Sequence, residues 1–304
     1  MAIDDSPPLP PRRLVHRVGC PRGTRDLLEL YLARGREVHD AIVDGLPPGW
    51  SFEGRRVLDF GCGAGRVLRH FLDEASTAEL WGCDIHRPSI DWLTAHLCPP
   101  LHAFHHGDAP PLPQPDASFD LAWALSVFTH ITDTWSAWLL ELHRLLRPDG
   151  LLLVTFMGET ASESLAGEPW DEDRIGMNVL RPANPWDHGG PMVLHSPWWI
   201  TAHWGRAFEI LTLRPYGFSR RGTVGQGWVL MRKRPVELAP EDLERLEPGE
   251  PRELEALRHN IRQLGRELVT LESSRSWRLT RPLRELSGAW STRRRRWAAP
   301  TAGE

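Results

Sequence analysis

Four residues with the spacing Asp59-x-Gly61-x-Gly63-x-Gly65 close the apolar run Val57-Leu58-Asp59-Phe60 and precede a helix-like segment. Glycine has no Cβ, so a chain of this kind can turn tightly and let a flat ligand approach its backbone. The start of a following helix adds unpaired N–H groups and a dipole that favours a carboxylate. In the dinucleotide pattern Gly-x-Gly-x-x-Gly the third glycine would fall on Arg66, so this run is a different pattern with an acid ahead of the glycines. For proton transfer at neutral pH the suitable side chain is histidine. His130 is the first candidate for a base, and Asp187, His188 and His195 are secondary ones.

The elements that must position these residues alternate along the chain. Strand patterns fall at Arg56–Phe60, Glu79–Cys83, Leu101–His105, Phe119–Ala124 and Leu151–Phe156. Helical patterns fall between them, at Val67–Glu74, Ser89–Leu97 and Trp135–Leu146, and an earlier helix is expected over Asp26–Leu46. This alternation implies a parallel sheet with helices on both faces. Residues 158–193, rich in Pro, Gly, Trp and Asp, break the rhythm as an insertion or lid; a helix at Pro197–Ala207 and strands at Glu209–Leu213 and Gly227–Arg232 follow. The expected organisation is a flexible leader over 1–23, a domain over 24–236 and a helical extension with a basic tail over 237–304.

Composition narrows the class. The 304 residues are 41% hydrophobic and 25% charged, which is ordinary globular composition. With 36 basic and 40 acidic residues the net charge is −4, which argues against a nucleic-acid binder. The balance hides an asymmetry: residues 273–297 hold eight arginines and one glutamate, so the body is acidic and the tail basic. Cys20, Cys62, Cys83 and Cys98 form no Cys-x-x-Cys pair, so neither a disulfide framework nor a zinc site is expected. No apolar signal or membrane-spanning run is present, and a cytoplasmic location is expected.

The glycine loop resembles motif I of class I S-adenosylmethionine (SAM)-dependent methyltransferases, and the resemblance extends over roughly Arg55 to Arg232. Gly82-Cys83-Asp84-Ile85, His106-Gly107-Asp108-Ala109 and the run Phe119–Ile131 match later motifs in order. The resemblance implies a Rossmann-like α/β fold with a seven-stranded, mostly parallel sheet and an antiparallel final strand. It also implies SAM as cofactor, with Asp84 accepting both ribose hydroxyls, Ile85 packing on adenine and Asp108 reaching the adenine amino group. Asp59, Gly61, Gly63, Gly65, Ala109 and Ser126 complete the implied cofactor contacts. In such a fold the acceptor pocket opens after the fourth strand, where His130 lies. Aromatic, His and Asp residues of the insertion, in Pro185-Trp186-Asp187-His188 and His195-Ser196-Pro197-Trp198-Trp199, suit a ring-shaped polar acceptor such as a sugar. The acid cluster Asp171-Glu172-Asp173 is expected to be solvated and His102, His105 and His106 to be structural, so no metal is expected.

Two features lie in the extension. Leu254, Leu257, Ile261, Leu264, Leu268 and Leu271 repeat at the spacing of a coiled-coil seam, which suggests self-association or a protein partner through 254–271. Ser276-Trp277-Arg278-Leu279-Thr280-Arg281-Pro282-Leu283-Arg284 is similar to a stretch found in bacterial enzymes of surface-polysaccharide assembly. The basic–aromatic residues within 275–297 suit peripheral contact with an anionic inner-membrane surface. The expected activity is SAM-dependent O-methylation of a sugar or polysaccharide intermediate. The alternatives are a small-metabolite or natural-product methyltransferase and a SAM-binding scaffold for glycan-assembly enzymes.

Overall fold

A computed structural model describes residues 7–15, 25–166, 169–182, 184, 189–218, 225–275 and 277–280. The chain divides into two units, residues 1–257 and 258–304. In the first, seven strands form one sheet: β1 (Arg56–Phe60), β2 (Glu79–Asp84), β3 (His102–His105), β4 (Phe119–Ala124), β5 (Leu146–Phe156), β8 (Phe208–Arg214) and β9 (Gly227–Lys233). Their spatial order is β3-β2-β1-β4-β5-β9-β8, with β9 antiparallel to both neighbours. The order reverses between β1 and β4, which puts a crevice at the carboxyl ends of those strands.

Period-two alternation gives each face of the sheet its own core. From β4, Leu121 and Trp123 join a cluster with Ile42, Phe71, Leu93 and Leu97. Ala122 and Ala124 join the opposite cluster with Trp135, Trp138, Leu139 and Trp204, as does Phe119, which lies beyond a register shift in the pairing of β4 with β5. Helices cover both faces, so the central strands are mostly apolar, with Asp59 and Asp120 as buried exceptions. These helices are α2 (Leu27–Gly45), α3 (Arg87–Leu97), α4 (Trp135–Leu145) and α6 (Pro197–His203), while a short α1 (Arg12–Val15) and a single turn α5 (Glu159–Ala161) are peripheral.

Three local expectations change. The segment after the glycine loop is not a continuous α-helix but 3-10 turns at Leu68–His70 and Glu74–Ser76. The Arg66 carbonyl abuts α2 at Gly35, where a Cβ would lie 2.3 Å from it, and the His70 N–H bonds Val67 O instead. The insertion contributes strand structure: β6 (Met177–Leu180) and β7 (Met192–His195) make an antiparallel hairpin. Among the described residues the extension includes two separate helices, α7 (Pro240–Glu244) and α8 (Arg252–Ser273), because Pro248-Gly249 interrupts the helical pattern.

The first turn of α8 is welded to the sheet domain. His203 bonds Leu243 O through Nδ1 (2.6 Å) and Glu253 Oε1 through Nε2 (2.8 Å), with both side chains buried. Arg252 stacks over the Trp198 ring at 5.0 Å, and Arg206 donates to the carbonyls of Asp242 and Leu243. Removing one partner of a buried pair such as His203–Glu253 costs about 3–5 kcal/mol. No helix among the described residues is long and apolar enough to cross a membrane.

Candidate active site

The glycine loop leaves the carboxyl end of β1 with Gly61, Gly63 and Gly65 at φ +86°, +55° and +73°, a region that side-chain-bearing residues avoid. Space also demands glycine: a Cβ on Gly61 would lie 2.4 Å from Val127 Cγ2. The loop is fastened to β2, because Gly61 N and Cys62 N both donate to Cys83 O, at 2.8 and 3.0 Å. Asp84, at the end of β2, accepts Gly63 N on Oδ2 (2.8 Å) and His86 N on Oδ1 (2.7 Å). Each carboxylate oxygen has a second lone-pair direction for a further donor. Beside it, Ile85 is 53% exposed, an aliphatic face open to a flat ring.

Asp59, two residues before the loop glycines, is buried, and its Oδ2 has no hydrogen-bond partner. Burial pushes its pKa up to about 7, with the nearby Asp84 charge adding to the rise. The Trp123 indole and Arg66 oppose the rise; the indole N–H lies near without closing a hydrogen bond. A buried acceptor without a partner, next to a cradle that excludes side chains, fits a ligand that brings its own donor or positive charge.

β3 pairs with β2 through Asp84 and His105, and His106 N reaches Asp84 O at 3.4 Å. His106 stacks on Phe60 with centroids 5.4 Å apart, and burial lowers its pKa. Asp108 and Ala109 follow, both exposed. After β4, Ser126 takes φ +56°, unusual for a residue with a side chain. Its N–H bonds Thr155 Oγ1 (2.8 Å), and its hydroxyl pairs with the Gln226 amide at the start of β9.

His130 stands at the rim of the same edge. Its Nδ1 is 2.8 Å from the Pro191 carbonyl, and Val193 N bonds the neighbouring Thr129 O. The hairpin therefore holds the His130 loop. A carbonyl can only accept, so Nδ1 carries the hydrogen and Nε2 the lone pair. Burial lowers the His130 pKa, with the Pro191 bond opposing.

His195 departs from its expected role. It is fully buried, its ring packs against Trp199 and Trp204 with centroids 5.4 Å from each, and neither ring nitrogen has a hydrogen-bond partner. Burial pushes its pKa down to about 3. An imidazole of that kind is a core residue and a poor proton acceptor at neutral pH. Trp198 and Trp199 are also buried in the core. Asp187 and His188 lie outside the described residues. Among the described residues, no His, Cys, Asp and Glu side chains gather in a group that could hold a metal.

Sequence reasoning missed the cover on the loop. The Tyr31 hydroxyl of α2 donates to Ala64 O (3.2 Å), and burial pushes its pKa up to about 12. Arg69, in the turns after the loop, donates to the carbonyls of Pro7 and Pro8 and ties the leader to the same place. A mid-helix glycine, Gly35, was the one signal of that close approach.

Residues 57–150 match a family model described as a methyltransferase domain. The fold is that of the class I methyltransferases. A SAM-dependent methyltransferase from Mesorhizobium loti superposes with a TM-score of 0.51 at 18% identity, over 64% of this chain and 96% of that one. The PH0226 protein from Pyrococcus horikoshii superposes with a TM-score of 0.50 at 17% identity, over 72% and 98%. Among relatives by sequence, 27-O-demethylrifamycin SV methyltransferase of Amycolatopsis mediterranei is 33% identical over 103 residues, 33% of this chain and 37% of that protein. Malonyl-[acyl-carrier protein] O-methyltransferase of Halorhodospira halophila is 31% identical over 167 residues, 52% and 53%. The chain thus spans between about a third and a half of the length of these two relatives.

Proposed function

We propose that this chain is a SAM-dependent O-methyltransferase acting on a hydroxyl group of a small-molecule acceptor. The observation that carries the reading is the site at β1 and β2: a glycine cradle, the buried unpartnered Asp59 Oδ2 and an Asp84 carboxylate held by two backbone N–H groups. Asp84 would hold the ribose hydroxyls, Ile85 and Asp108 the adenine, and Asp59 with the Gly61–Gly65 loop the amino-acid end. When bound, SAM supplies an electrophilic methyl group. The protein's own work is then to orient the acceptor oxygen and relieve it of its proton. His130 fits that task, because its Nδ1 bond to Pro191 O fixes the ring and directs the lone pair to Nε2.

Two acceptor classes are carried forward. A sugar or polysaccharide intermediate is supported by the similarity of 276–284 to polysaccharide-assembly enzymes. A natural product or other small metabolite is supported by relatives such as the rifamycin and fatty-acid O-methyltransferases. Those relatives align over about a third of this chain, so they bear on the cofactor side more than on the acceptor. The deciding experiment is methyl transfer from labelled SAM to two panels, nucleotide sugars with short oligosaccharides, and polyketide or acyl hydroxy compounds. A labelled product in either panel that is lost in His130→Gln supports O-methylation. SAM binding with no transfer to any hydroxyl compound would favour the scaffold reading.

A further inference from the structure

The seam of α8 is exposed. Leu254, Leu257, Ile261, Leu268 and Leu271 are between 43% and 68% exposed, and Leu264 is half-buried. Their 3-4-3-4-3 spacing sets them at alternating a and d positions over three heptads, with Leu254 at a. Two such stripes facing each other would bury on the order of 1,000 Å², the lower bound for a specific interface.

We propose that α8 is a self-association element and that two copies of this chain pair through it in antiparallel orientation. The flanking charges select the orientation. In a parallel pair, position g of one helix meets position e of the other five residues on. That would oppose Glu267 to Glu272 of the second copy and leave Asn260 against Gly265. The remaining contact would need Glu253, whose Oε1 is already taken by His203 and Glu247 N. In an antiparallel pair centred between Ile261 and Leu264, Leu254 meets Leu271, Leu257 meets Leu268, and Ile261 meets Leu264. The e flanks then bring Arg258 against Glu272 twice, once from each copy, and the g flanks set Asn260 against Glu267, with no like charges opposed.

The same register puts Gly265 of each copy beside the two-fold axis. Glycine is a poor helix former, yet a Cβ at Gly265 would meet nothing within 4 Å among the described residues. Close approach of the second helix would account for glycine at this position.

The test is sedimentation velocity on the full chain across a dilution series. The expected result is a dimer that dissociates on dilution. Ile261→Glu gives a monomer with unchanged near-UV circular dichroism. Arg258→Glu and Glu272→Arg each weaken dimerisation roughly tenfold, and the double variant Arg258→Glu/Glu272→Arg restores it, which no folding defect would do. A wild-type chain that is monomeric throughout the series overturns the proposal, as does a dimer indifferent to Ile261→Glu and to both charge reversals. Single reversals that weaken the dimer without restoration in the double variant overturn the antiparallel register.

Discussion

Asp84 Oδ2 accepts the backbone N–H of Gly63 at 2.8 Å, which ties the end of β2 to the middle of the glycine loop. One carboxylate therefore shapes the loop and still offers lone pairs to a ligand. Asp84→Ala removes both roles. Hydrogen bonds to a charged group contribute about 1.5–3 kcal/mol each. SAM affinity measured by calorimetry should fall by roughly 10- to 100-fold or more, with the sheet intact by far-UV circular dichroism.

His130→Gln keeps a side chain of similar reach but removes the imidazole base. The turnover number should fall about 10²- to 10⁴-fold, while SAM affinity stays within a factor of about two, since His130 makes no cofactor contact in this reading. The wild-type pH profile carries a sign. His130 must be neutral to accept a proton, and burial sets its pKa below the usual 6.5. Activity should hold as pH drops to 6.5 and decline below it, as pH falls through the folded value. An acid limb centred above 6.5 would point to another base.

His195→Phe separates a core residue from a catalytic one. The ring lies between Trp199 and Trp204 with both nitrogens unpartnered. Replacing a buried unsatisfied polar group by an apolar one of similar shape is neutral or stabilising, by about 1–3 kcal/mol at most. His195 has a folded pKa near 3 against an ordinary 6.5, so the unfolded chain binds the extra proton between those values. Its burial costs stability progressively as pH falls from 6.5 towards 3. The variant should show a smaller loss of denaturation midpoint over that window and retain its turnover.

Gly35→Ala tests the cover on the loop. A Cβ there would meet Arg66 O at 2.3 Å and His70 Nε2 at 2.6 Å. A backbone carbonyl cannot swing away, so α2 must shift. A loss of about 1–3 kcal/mol in denaturant melts is expected, together with weaker SAM binding, because Tyr31 on α2 bonds the loop at Ala64.

The sheet was legible because its signals are local. Val57, Leu58, Leu121 and Trp123 form apolar runs ended by Gly or polar residues, and such runs between helix patterns admit few topologies. The glycine loop and the carboxylate beside it were legible because Gly61, Gly63, Gly65 and Asp84 are close to their strands in sequence. The histidines were harder to place. His130 and His195 look alike as letters, and the hairpin gives them different surroundings. It brings the Pro191 carbonyl to His130 and folds His195 back onto Met157, under Trp199 and Trp204. That hairpin forms between segments 177–180 and 192–195, whose short runs among Pro, Gly and Trp carry little periodicity. The break of the glycine-loop helix into 3-10 turns was illegible for the same reason, since it depends on α2 meeting Arg66 across 31 residues.

The most direct measurement is a calorimetric titration of the full chain with SAM and, separately, with NAD. One-to-one SAM binding that Asp84→Ala weakens by roughly 10- to 100-fold or more, with no heat from NAD, is the expected result. Absence of SAM binding by the folded wild-type chain would contradict the assignment of the Gly61–Gly65 cradle and Asp84 to this cofactor.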